Sequence, residues 1–332
     1  MSNRVAVLRG SVEESSHAVH VAVADAEGRH LWGAGDPSRV TFFRSSAKPI
    51  QALPLVEDGV CARFGLESSD LAICCASHGG EPVHVRRVAG LLDRIDLTED
   101  ALECGPQVPM HAASAERLIA QGATPGRIHN NCSGKHAGML ALARYHGWPT
   151  AGYSEAAHPV QQRMWAEVAR WTGRSREDIE VAVDGCGVSC FALPVLDMAR
   201  AYARFADAAR RGEPAASVVE AMTAHPYEVA GSGRLCTALM ERTGARLFAK
   251  VGAEGVYGAG LPESGVGIAV KVEDGGWRAA GVALLAVLET LGALSEDDRA
   301  ALAEHARPLV RNTRDWVVGR IESKVDLRRL HD

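Results

Sequence analysis

The sequence predicts an α/β protein whose sheet is built from both chain ends and whose middle region is mostly helical. Two observations lead to this fold class. Runs with β-branched residues at alternate positions occur near the N-terminus and return after about residue 245. Between them, apolar residues recur at helical spacing. With 47% hydrophobic and 23% charged residues, the composition is typical of a globular protein.

The N-terminal part is predicted to form an antiparallel meander. Val5–Leu8 is an apolar run, and His17–Val23 carries β-branched residues at alternate positions. The segment Ala24–Gly28 has the composition of a turn, after which Arg29–Trp32 resumes as a strand.

The middle region begins with a helix predicted from Ser45 to about Glu57, ended by Asp58-Gly59. Leu71–Ala76 is a short apolar run that we interpret as a strand ending at Ser77. Helical spacing then predicts further helices over residues 81–92, 114–121, 135–145, 159–171, 193–210 and 215–222.

The C-terminal part is predicted to return to strands over residues 245–252, 255–259, 266–272 and 277–280. Two helices, 283–294 and 296–309, and a polar tail complete the chain. We therefore expect a single domain, residues 1–332, in which 1–60 and 240–332 bear the sheet and 61–239 are mostly helical.

Charge and hydropathy exclude several classes of partner. A net charge of −5 and a pI near 6.2 give no basic surface for nucleic acid. The longest apolar run, Ala279–Leu288, is too short to span a bilayer. Because the N-terminus has no signal-peptide apolar core, the eight cysteines are expected to be reduced. We expect a cytoplasmic protein whose partners are small molecules or copies of itself.

The first candidate for chemistry is Ser45 with Lys48. Ser45 falls at the start of a predicted helix, where free N–H groups and the helix dipole favour a developing anion. Lys48 lies three residues on, on the same helix face, and a lysine of lowered pKa can take a proton from a serine. About one S-x-x-K is expected by chance in a chain of this size, so an exposed helix start is the alternative.

Two further positions combine reactive groups with the ends of strands. Ser77 precedes Gly79-Gly80, and these glycines allow close backbone approach. Lys250 closes a strand-like run. A plain turn and an exposed lysine at a strand edge are the structural alternatives.

Two cysteine-bearing loops suggest binding. Asn130–His136 joins polar groups and a thiol to a following helix, and Asp184–Cys190 places glycines on both sides of Cys186. Cys132 and Cys186 could share a soft metal such as zinc, with Lys135, His136 or Cys190 nearby. The spacing is not that of a CxxC pair, and buried unpaired cysteines are the alternative.

Together these segments resemble the Rhizobium-type (class 3) L-asparaginase family. The resemblance is carried by Arg44-Ser45-Ser46-Ala47-Lys48-Pro49, Ala76-Ser77-His78-Gly79-Gly80-Glu81, Cys104-Gly105-Pro106, His129 to Met139, Val183-Asp184-Gly185-Cys186-Gly187 and Lys250 to Gly255. The segment Asn130 to Met139 is long and specific.

The resemblance implies a homodimeric amidohydrolase that converts L-asparagine to L-aspartate and ammonia, with a fold like that of glutaminases and serine β-lactamases. It pairs Ser45 with Lys48 and Ser77 with Lys250 as catalytic residues. On this pairing we predict that Ser45 is the acyl-enzyme nucleophile and Lys48 its base, while Ser77 and Lys250 relay protons to the leaving ammonia and position water. It also implies a zinc ion, and a pocket for the substrate. The implied zinc ligands are Cys132, Lys135 and Cys186, and the implied substrate-binding residues are Arg44, His136 and Asp184.

Other functions stay open at this point. A β-lactam-interacting serine hydrolase would share the S-x-x-K, but Ser77-His78-Gly79 and Lys250-Val251-Gly252 depart from the S-D-N and K-T-G of class A β-lactamases. A glutaminase differs by one methylene in its substrate, which a pocket discriminates only modestly. A catalytically inactive asparagine-binding protein is the alternative from a different class.

Overall fold

The computed structural model describes residues 2–330, so Met1, His331 and Asp332 of the expected 1–332 domain lie outside the described residues. The strands are β1 Asn3–Arg9, β2 Val12–Asp25, β3 His30–Ala34, β4 Val40–Phe42, β5 Glu180–Val183, β6 Ser189–Pro194, β7 Phe248–Gly252, β8 Val256–Leu261, β9 Val266–Val272, β10 Leu309–Arg311, β11 Val317–Val325 and β12 Arg328–Arg329.

The helices of the described residues occur in three groups, between β4 and β5, between β6 and β7, and between β9 and β10. They are α1 Lys48–Ala52, α2 Pro54–Glu57, α3 Val60–Phe64, α4 Ser68–Cys74, α5 Pro82–Arg94, α6 Ala112–Ala120, α7 Ser133–His146, α8 Pro159–Thr172, α9 Val195–Arg210, α10 Ala215–Ala224, α11 Pro226–Val229, α12 Leu235–Thr243, α13 Trp277–Thr290, α14 Glu296–Ala301 and α15 Ala303–Ala306. Within residues 2–330, no helix is both long enough and apolar enough to cross a membrane.

The chain forms two compact units. The sheet unit contains the described residues up to Ser46, Leu193–Asp207, and those from Ala249 onward. The helical unit contains Ala47–Ala192 and Ala208–Phe248. The predicted α/β class, with strands from both chain ends and a mostly helical middle, is confirmed.

The sheet unit is organised around one antiparallel sheet. Its order is β10-β11-β1-β2-β9-β8-β7, with β3 paired to β2 and β12 to β3. The long strand β2 pairs first with β1 and then with β9, where Val21 faces Val270. The apolar helix α13 contacts β8, β9 and β11 and buries Ala279, Val282 and Leu285. This packing explains why the longest apolar run of the sequence is a helix in the core.

The helical unit depends on the close approach of α4 and α7. A Cβ at Gly134 would lie 2.2 Å from Ile73 O, and one at Gly138 would lie 2.8 Å from Cys74 Sγ. Only glycine at these positions lets α7 approach α4 this closely, and residues 133–143 of α7 are all buried. As a result, the start of α7 lies against the end of α4, which leads to Ser77.

Four expectations about local structure were wrong. Residues 71–76 lie largely in helix α4 rather than a strand, because a capping box between Glu67 and Asp70 starts a helix there. Residues 277–280 begin α13, and the polar tail contains β11, which pairs with β1. Short apolar runs do not distinguish a strand from a buried helix, and a strand of an antiparallel sheet can carry polar residues on its solvated face.

The fourth wrong expectation concerns the helix predicted from Ser45. Ser45 belongs to a 3-10 turn, Arg44–Ala47, and the α-helical segment that follows is divided into α1 and α2. Pro54 begins α2, because a proline lacks the N–H that would continue the preceding helix. Ser45 therefore does not lie in the first turn of a long helix.

Candidate active site

Ser77 lies in a loop of the helical unit that is held by backbone hydrogen bonds on both sides. The N–H of Ser77 donates to Val229 O at 3.0 Å, and the N–H of His78 donates to Asn131 O at 3.2 Å. The side chain of Ser77 is 5% exposed. The loop therefore presents a buried hydroxyl from a fixed backbone.

The ammonium group of Lys48 contacts this hydroxyl. It lies in α1, is 1% exposed, and its Nζ donates to Ser77 Oγ at 3.0 Å and to Cys132 Sγ at 3.1 Å. A third hydrogen bond goes to Ala76 O. Three acceptors match the three donors of an ammonium group, which offsets the cost of burying its charge. When neutral, the same amine is within reach of the Ser77 proton.

This contact differs in its partners from the pairing that the resemblance implies. The resemblance pairs Lys48 with Ser45 and Ser77 with Lys250, whereas the structure shows a hydrogen bond between Lys48 and Ser77. Sequence spacing predicts only that Lys48 shares a helix face with Ser45. It carries no information about a contact with Ser77, which lies 29 residues further along the chain. The catalytic roles of these four residues stay predictions.

Cys132, Lys135 and Cys186 lie together beside Lys48. The Nζ of Lys135 donates to Cys186 Sγ at 3.1 Å, and the two thiols are hydrogen-bonded to each other. The hydrogen bond from Cys132 and the charge of Lys135 lower the pKa of Cys186 to about 5, against the opposing effect of burial. The same hydrogen bond, together with burial, raises the pKa of Cys132. The pair therefore holds one negative charge beside a lysine ammonium.

The donor set of this cluster fits a zinc ion in part. Thiolate sulfur and neutral amine nitrogen are donors that zinc accepts, and here two sulfurs and one nitrogen are in contact. Although burial lowers it, the pKa of Lys135 is raised overall by the Cys186 and Cys132 sulfurs, so metal binding would have to displace its proton. Among the described residues, no group of three or more His, Cys, Asp or Glu side chains is placed to hold a metal.

His136 and Asp184 flank this cluster. His136 follows Lys135 in α7, is fully buried, and hydrogen-bonds through Nδ1 to Tyr153 OH at 2.7 Å. Burial, followed by the charge of Lys135, lowers the pKa of His136 to about 3. Asp184 is half-buried, accepts from the N–H of Gly185, and acts electrostatically on both Lys135 and Cys186. Sequence reasoning did not identify Tyr153, because no local motif marks it.

The remaining predicted residues, Arg44, Ser45 and Lys250, belong to the sheet unit. Arg44 adopts a φ of 51°, a left-handed conformation that is costly for a residue other than glycine and is found preferentially at functional sites. Ser45 is half-buried in the 3-10 turn that follows. Lys250 is fully buried in β7, and its Nζ donates to Val251 O at 2.8 Å.

Two contacts hold the Ser45 turn within the sheet unit. Tyr202 OH donates to Ser46 O at 2.7 Å, and Ser46 Oγ donates to Phe43 O at 2.6 Å. A Cβ at Gly252 would lie 3.2 Å from Phe43 O, so the end of β7 packs closely against the residue before Arg44. The segments that carry Ser45 and Lys250 are therefore neighbours in this unit.

Comparison with solved structures gives distant likenesses. A β-lactamase from Mycobacterium bovis is 17% identical, with a TM-score of 0.39 over 87% of this chain and 95% of that one. A putative β-lactamase from Bacteroides dorei is 14% identical, with a TM-score of 0.43 over 83% and 93%. A protein named Mglu is 17% identical, with a TM-score of 0.36 over 84% and 68%. These scores describe partial likeness only, and no curated protein matches the sequence.

Comparison with family models gives one match that spans nearly the whole chain. The model for L-asparaginase II matches residues 5–323, a range that includes every residue of the candidate site. The family expected from the sequence motifs is thereby confirmed, and with it an amidohydrolase type of enzyme. The chain belongs to the L-asparaginase II family.

Proposed function

We propose that the protein hydrolyses L-asparagine to L-aspartate and ammonia through a serine acyl-enzyme. The observation that carries the proposal is the 3.0 Å hydrogen bond between Lys48 Nζ and Ser77 Oγ inside a buried site of an L-asparaginase II family member. A serine becomes a competent nucleophile when an adjacent base takes its proton. The Lys48 amine is placed to be that base.

The proposed reaction proceeds in two steps. Neutral Lys48 accepts the proton of Ser77, whose Oγ forms a bond to the side-chain amide carbon of asparagine. The C–N bond then breaks, and the proton held by Lys48 passes to the departing ammonia. Water, deprotonated by the same amine, hydrolyses the ester and regenerates Ser77. Because Lys48 acts as the base for Ser77 in this scheme, the roles of Ser45 and Lys250 are tested separately.

The experiment measures ammonia release from asparagine and searches for a trapped acyl adduct by mass spectrometry. Ser77→Ala is expected to abolish turnover and the adduct, and Ser45→Ala is compared under the same conditions. An adduct confined to Ser45 would contradict the proposed nucleophile and restore the pairing of Ser45 with Lys48. Binding of asparagine without any release of ammonia would instead indicate a catalytically inactive binding protein.

Two parallel substrates test specificity in the same assay. Glutamine measures how strongly the site distinguishes one methylene, for which about 10- to 200-fold is the usual range. Nitrocefin tests the β-lactam alternative. Rapid nitrocefin hydrolysis with no ammonia from asparagine would reject the proposed substrate class.

We also propose that Cys132, Lys135 and Cys186 hold a zinc ion. When bound, the ion would supply positive charge that attracts the substrate's carboxylate. Metal analysis of purified protein before and after chelation is expected to show about one zinc per chain, lost in Cys186→Ala. If stripped protein keeps its KM and loses kcat, an anchoring role for the metal is wrong.

From the family resemblance we also propose that the protein is a homodimer. From the sequence we propose that it is cytoplasmic. Light scattering of the purified protein and fractionation of the cells that produce it test these two proposals. A monomer at working concentration would contradict the first, and an extracytoplasmic fraction the second.

A further inference from the structure

Tyr153 is bound to His136 in the interior of the helical unit. Both side chains are fully buried, their rings meet edge to face at 5.5 Å between centroids, and Tyr153 OH is 2.7 Å from His136 Nδ1. Neither the proposed nucleophile nor the cysteine cluster explains this contact. It fixes the plane of the His136 ring relative to α7.

Glu103 holds Tyr153 from three directions. Its backbone N–H donates to Tyr153 OH at 2.8 Å, while its carboxylate accepts the N–H of Gly152 at 2.5 Å and that of Ser154 at 2.9 Å. These are the two neighbours of Tyr153 in sequence, and Gly152 has a φ of 71°. In addition, Gln161 Nε2 donates to Tyr153 O at 2.9 Å. Hydrogen bonds thus fix the position of both the backbone and the side chain of Tyr153.

These hydrogen bonds determine which nitrogen of His136 carries a proton. The oxygen of Tyr153 accepts the Glu103 N–H, and the hydroxyl has one proton of its own to donate. His136 Nδ1 is the acceptor at 2.7 Å, so all three groups are satisfied if Nδ1 is unprotonated and Nε2 carries the hydrogen. The reverse tautomer would leave the buried hydroxyl proton of Tyr153 without this acceptor.

The Nε2 of His136 is then a donor without an acceptor. It is buried, and among residues 2–330 it has no hydrogen-bond partner. A buried donor left unsatisfied costs free energy, and such a group in a native protein calls for a ligand or ordered water. The charges of Lys135 and Lys48, and those of Cys132 and Glu103 with opposite sign, act on the same ring, so His136 is electrostatically part of the candidate site.

We propose that Glu103 and Tyr153 position His136 as a hydrogen-bond donor, with Nε2–H directed at a carbonyl or carboxylate oxygen of the bound substrate. Tyr153 and Glu103 are positioning residues, since they act through His136. The ligand part of this inference rests on the proposed asparaginase function, whereas the tautomer part does not.

The tautomer is tested first, by NMR of protein labelled with ¹⁵N-histidine. The His136 signals are identified by their loss in His136→Gln. The expected spectrum shows a neutral ring with hydrogen on Nε2, and Tyr153→Phe is expected to redistribute the hydrogen between the two nitrogens. A native ring with hydrogen on Nδ1, or a tautomer unchanged in Tyr153→Phe, would overturn the proposal whether or not the protein turns over asparagine.

The ligand part is tested by the kinetics of the same variants. Tyr153→Phe is expected to raise KM for asparagine about tenfold with a smaller change in kcat, as loss of a substrate hydrogen bond predicts. Glu103→Gln is expected to raise KM less, since the amide keeps one acceptor oxygen. Tyr145→Phe, on the half-exposed side of α7, is the matched control and should leave both constants unchanged.

Two kinetic outcomes contradict the ligand part. An altered tautomer in Tyr153→Phe with an unchanged KM would show that Nε2–H does not bind substrate. Equal KM changes in Tyr153→Phe and Tyr145→Phe would show a general loss of structure. Should Tyr153→Phe fail to fold, the native spectrum and Glu103→Gln still decide the proposal.

Discussion

Two buried lysines, one in each unit, differ in what they contact. Lys48, in the helical unit, donates to the hydroxyl of Ser77 and the thiol of Cys132, which belong to two other segments. Lys250, in the sheet unit, donates to the carbonyl of Val251, the next residue of its own strand. A lysine whose acceptors are reactive side chains has its chemistry set by tertiary packing. The Val251 carbonyl, by contrast, is a main-chain acceptor that local backbone geometry supplies.

The largest expected effect separates these two lysines. Lys48→Met should lower kcat for asparagine about a thousandfold, because general base catalysis is lost while the apolar stem still fills the site. It should also abolish labelling of Ser77 by a serine-reactive sulfonyl fluoride. If Lys48 is the base for Ser77, as proposed, Lys250→Met should leave this labelling intact.

Lys324→Met is the control for the general effect of removing a lysine, since that side chain is largely exposed. Circular dichroism checks that each variant is folded. Loss of Ser77 labelling in Lys250→Met to the same degree as in Lys48→Met would remove the distinction between the two lysines.

The second prediction compares the segments that follow a predicted catalytic residue in each unit, Ser77 in the helical unit and Lys250 in the sheet unit. Glu81, four residues after Ser77, accepts hydrogen bonds from Tyr227 OH, Ser232 N and Ser232 Oγ. Lys271 donates to the carbonyl of Glu254, which has a φ of 58° in the turn after Lys250. We expect Glu81→Gln to lower the free energy of unfolding by about 2–3 kcal/mol and Lys271→Met to lower it by about 1 kcal/mol. The difference arises because the Glu81 carboxylate takes part in three of these hydrogen bonds and the Lys271 ammonium in one.

Urea unfolding at neutral pH measures both values. Glu228→Gln serves as the control for Glu81→Gln, since it removes a nearby carboxylate that does not accept these three bonds. A larger loss in Lys271→Met than in Glu81→Gln would mean that the sheet unit depends more on its polar contacts than the helical unit does.

The two units also differ in how far their structure could be predicted. In the sheet unit, β-branched residues at alternate positions of His17–Val23 and the apolar run Val5–Leu8 predicted β2 and β1, because β-branched and apolar residues favour buried strands. On the side away from β2, β1 pairs with β11, in which charged residues alternate with uncharged ones over residues 320–325. Its position comes from pairing across more than 300 residues, which local sequence does not record.

In the helical unit, motifs identified the loops but not the contacts between them. Ser77, Cys132 and Cys186 were recognised from loop segments that contain glycine, yet the hydrogen bond from Lys48 to Ser77 was not. It results from the packing of α1, which carries Lys48, against α4, which leads to Ser77. Tyr153 is likewise unmarked, since its role follows from Glu103 fifty residues away.

The third prediction uses pH to test the polar interior of the helical unit. Burial lowers the pKa of His136 from 6.5 to about 3, so between these values the unfolded chain binds a proton that the folded chain does not. The contribution to stability is therefore complete above pH 6.5 and is lost as pH falls towards 3. At about pH 5 the loss should be about 2 kcal/mol relative to about pH 7.5.

His136→Gln has no such titration and should lose about 2 kcal/mol less over the same interval. His225→Gln, which removes a histidine outside the site, is the control and should follow the wild type. Parallel urea curves for wild type and His136→Gln at both pH values would show that His136 is not held neutral by burial.

The smallest expected effect concerns the thiol pair, and it tests whether the helical unit tunes its reactive groups through one another. The hydrogen bond from Cys132 is the main reason that the pKa of Cys186 is lowered to about 5. In chelator-treated protein, Cys132→Ala should therefore raise the pKa of Cys186 by at least about one unit, equivalent to about 1.4 kcal/mol. The ultraviolet absorbance of the thiolate as a function of pH measures this shift.

Cys61→Ala, which removes a thiol whose pKa burial raises to about 11, is the control and should leave the low-pH titration in place. If Cys132→Ala leaves that titration unchanged, the charge of Lys135 alone stabilises the thiolate, and the coupling between side chains inferred for the helical unit does not extend to its cysteines.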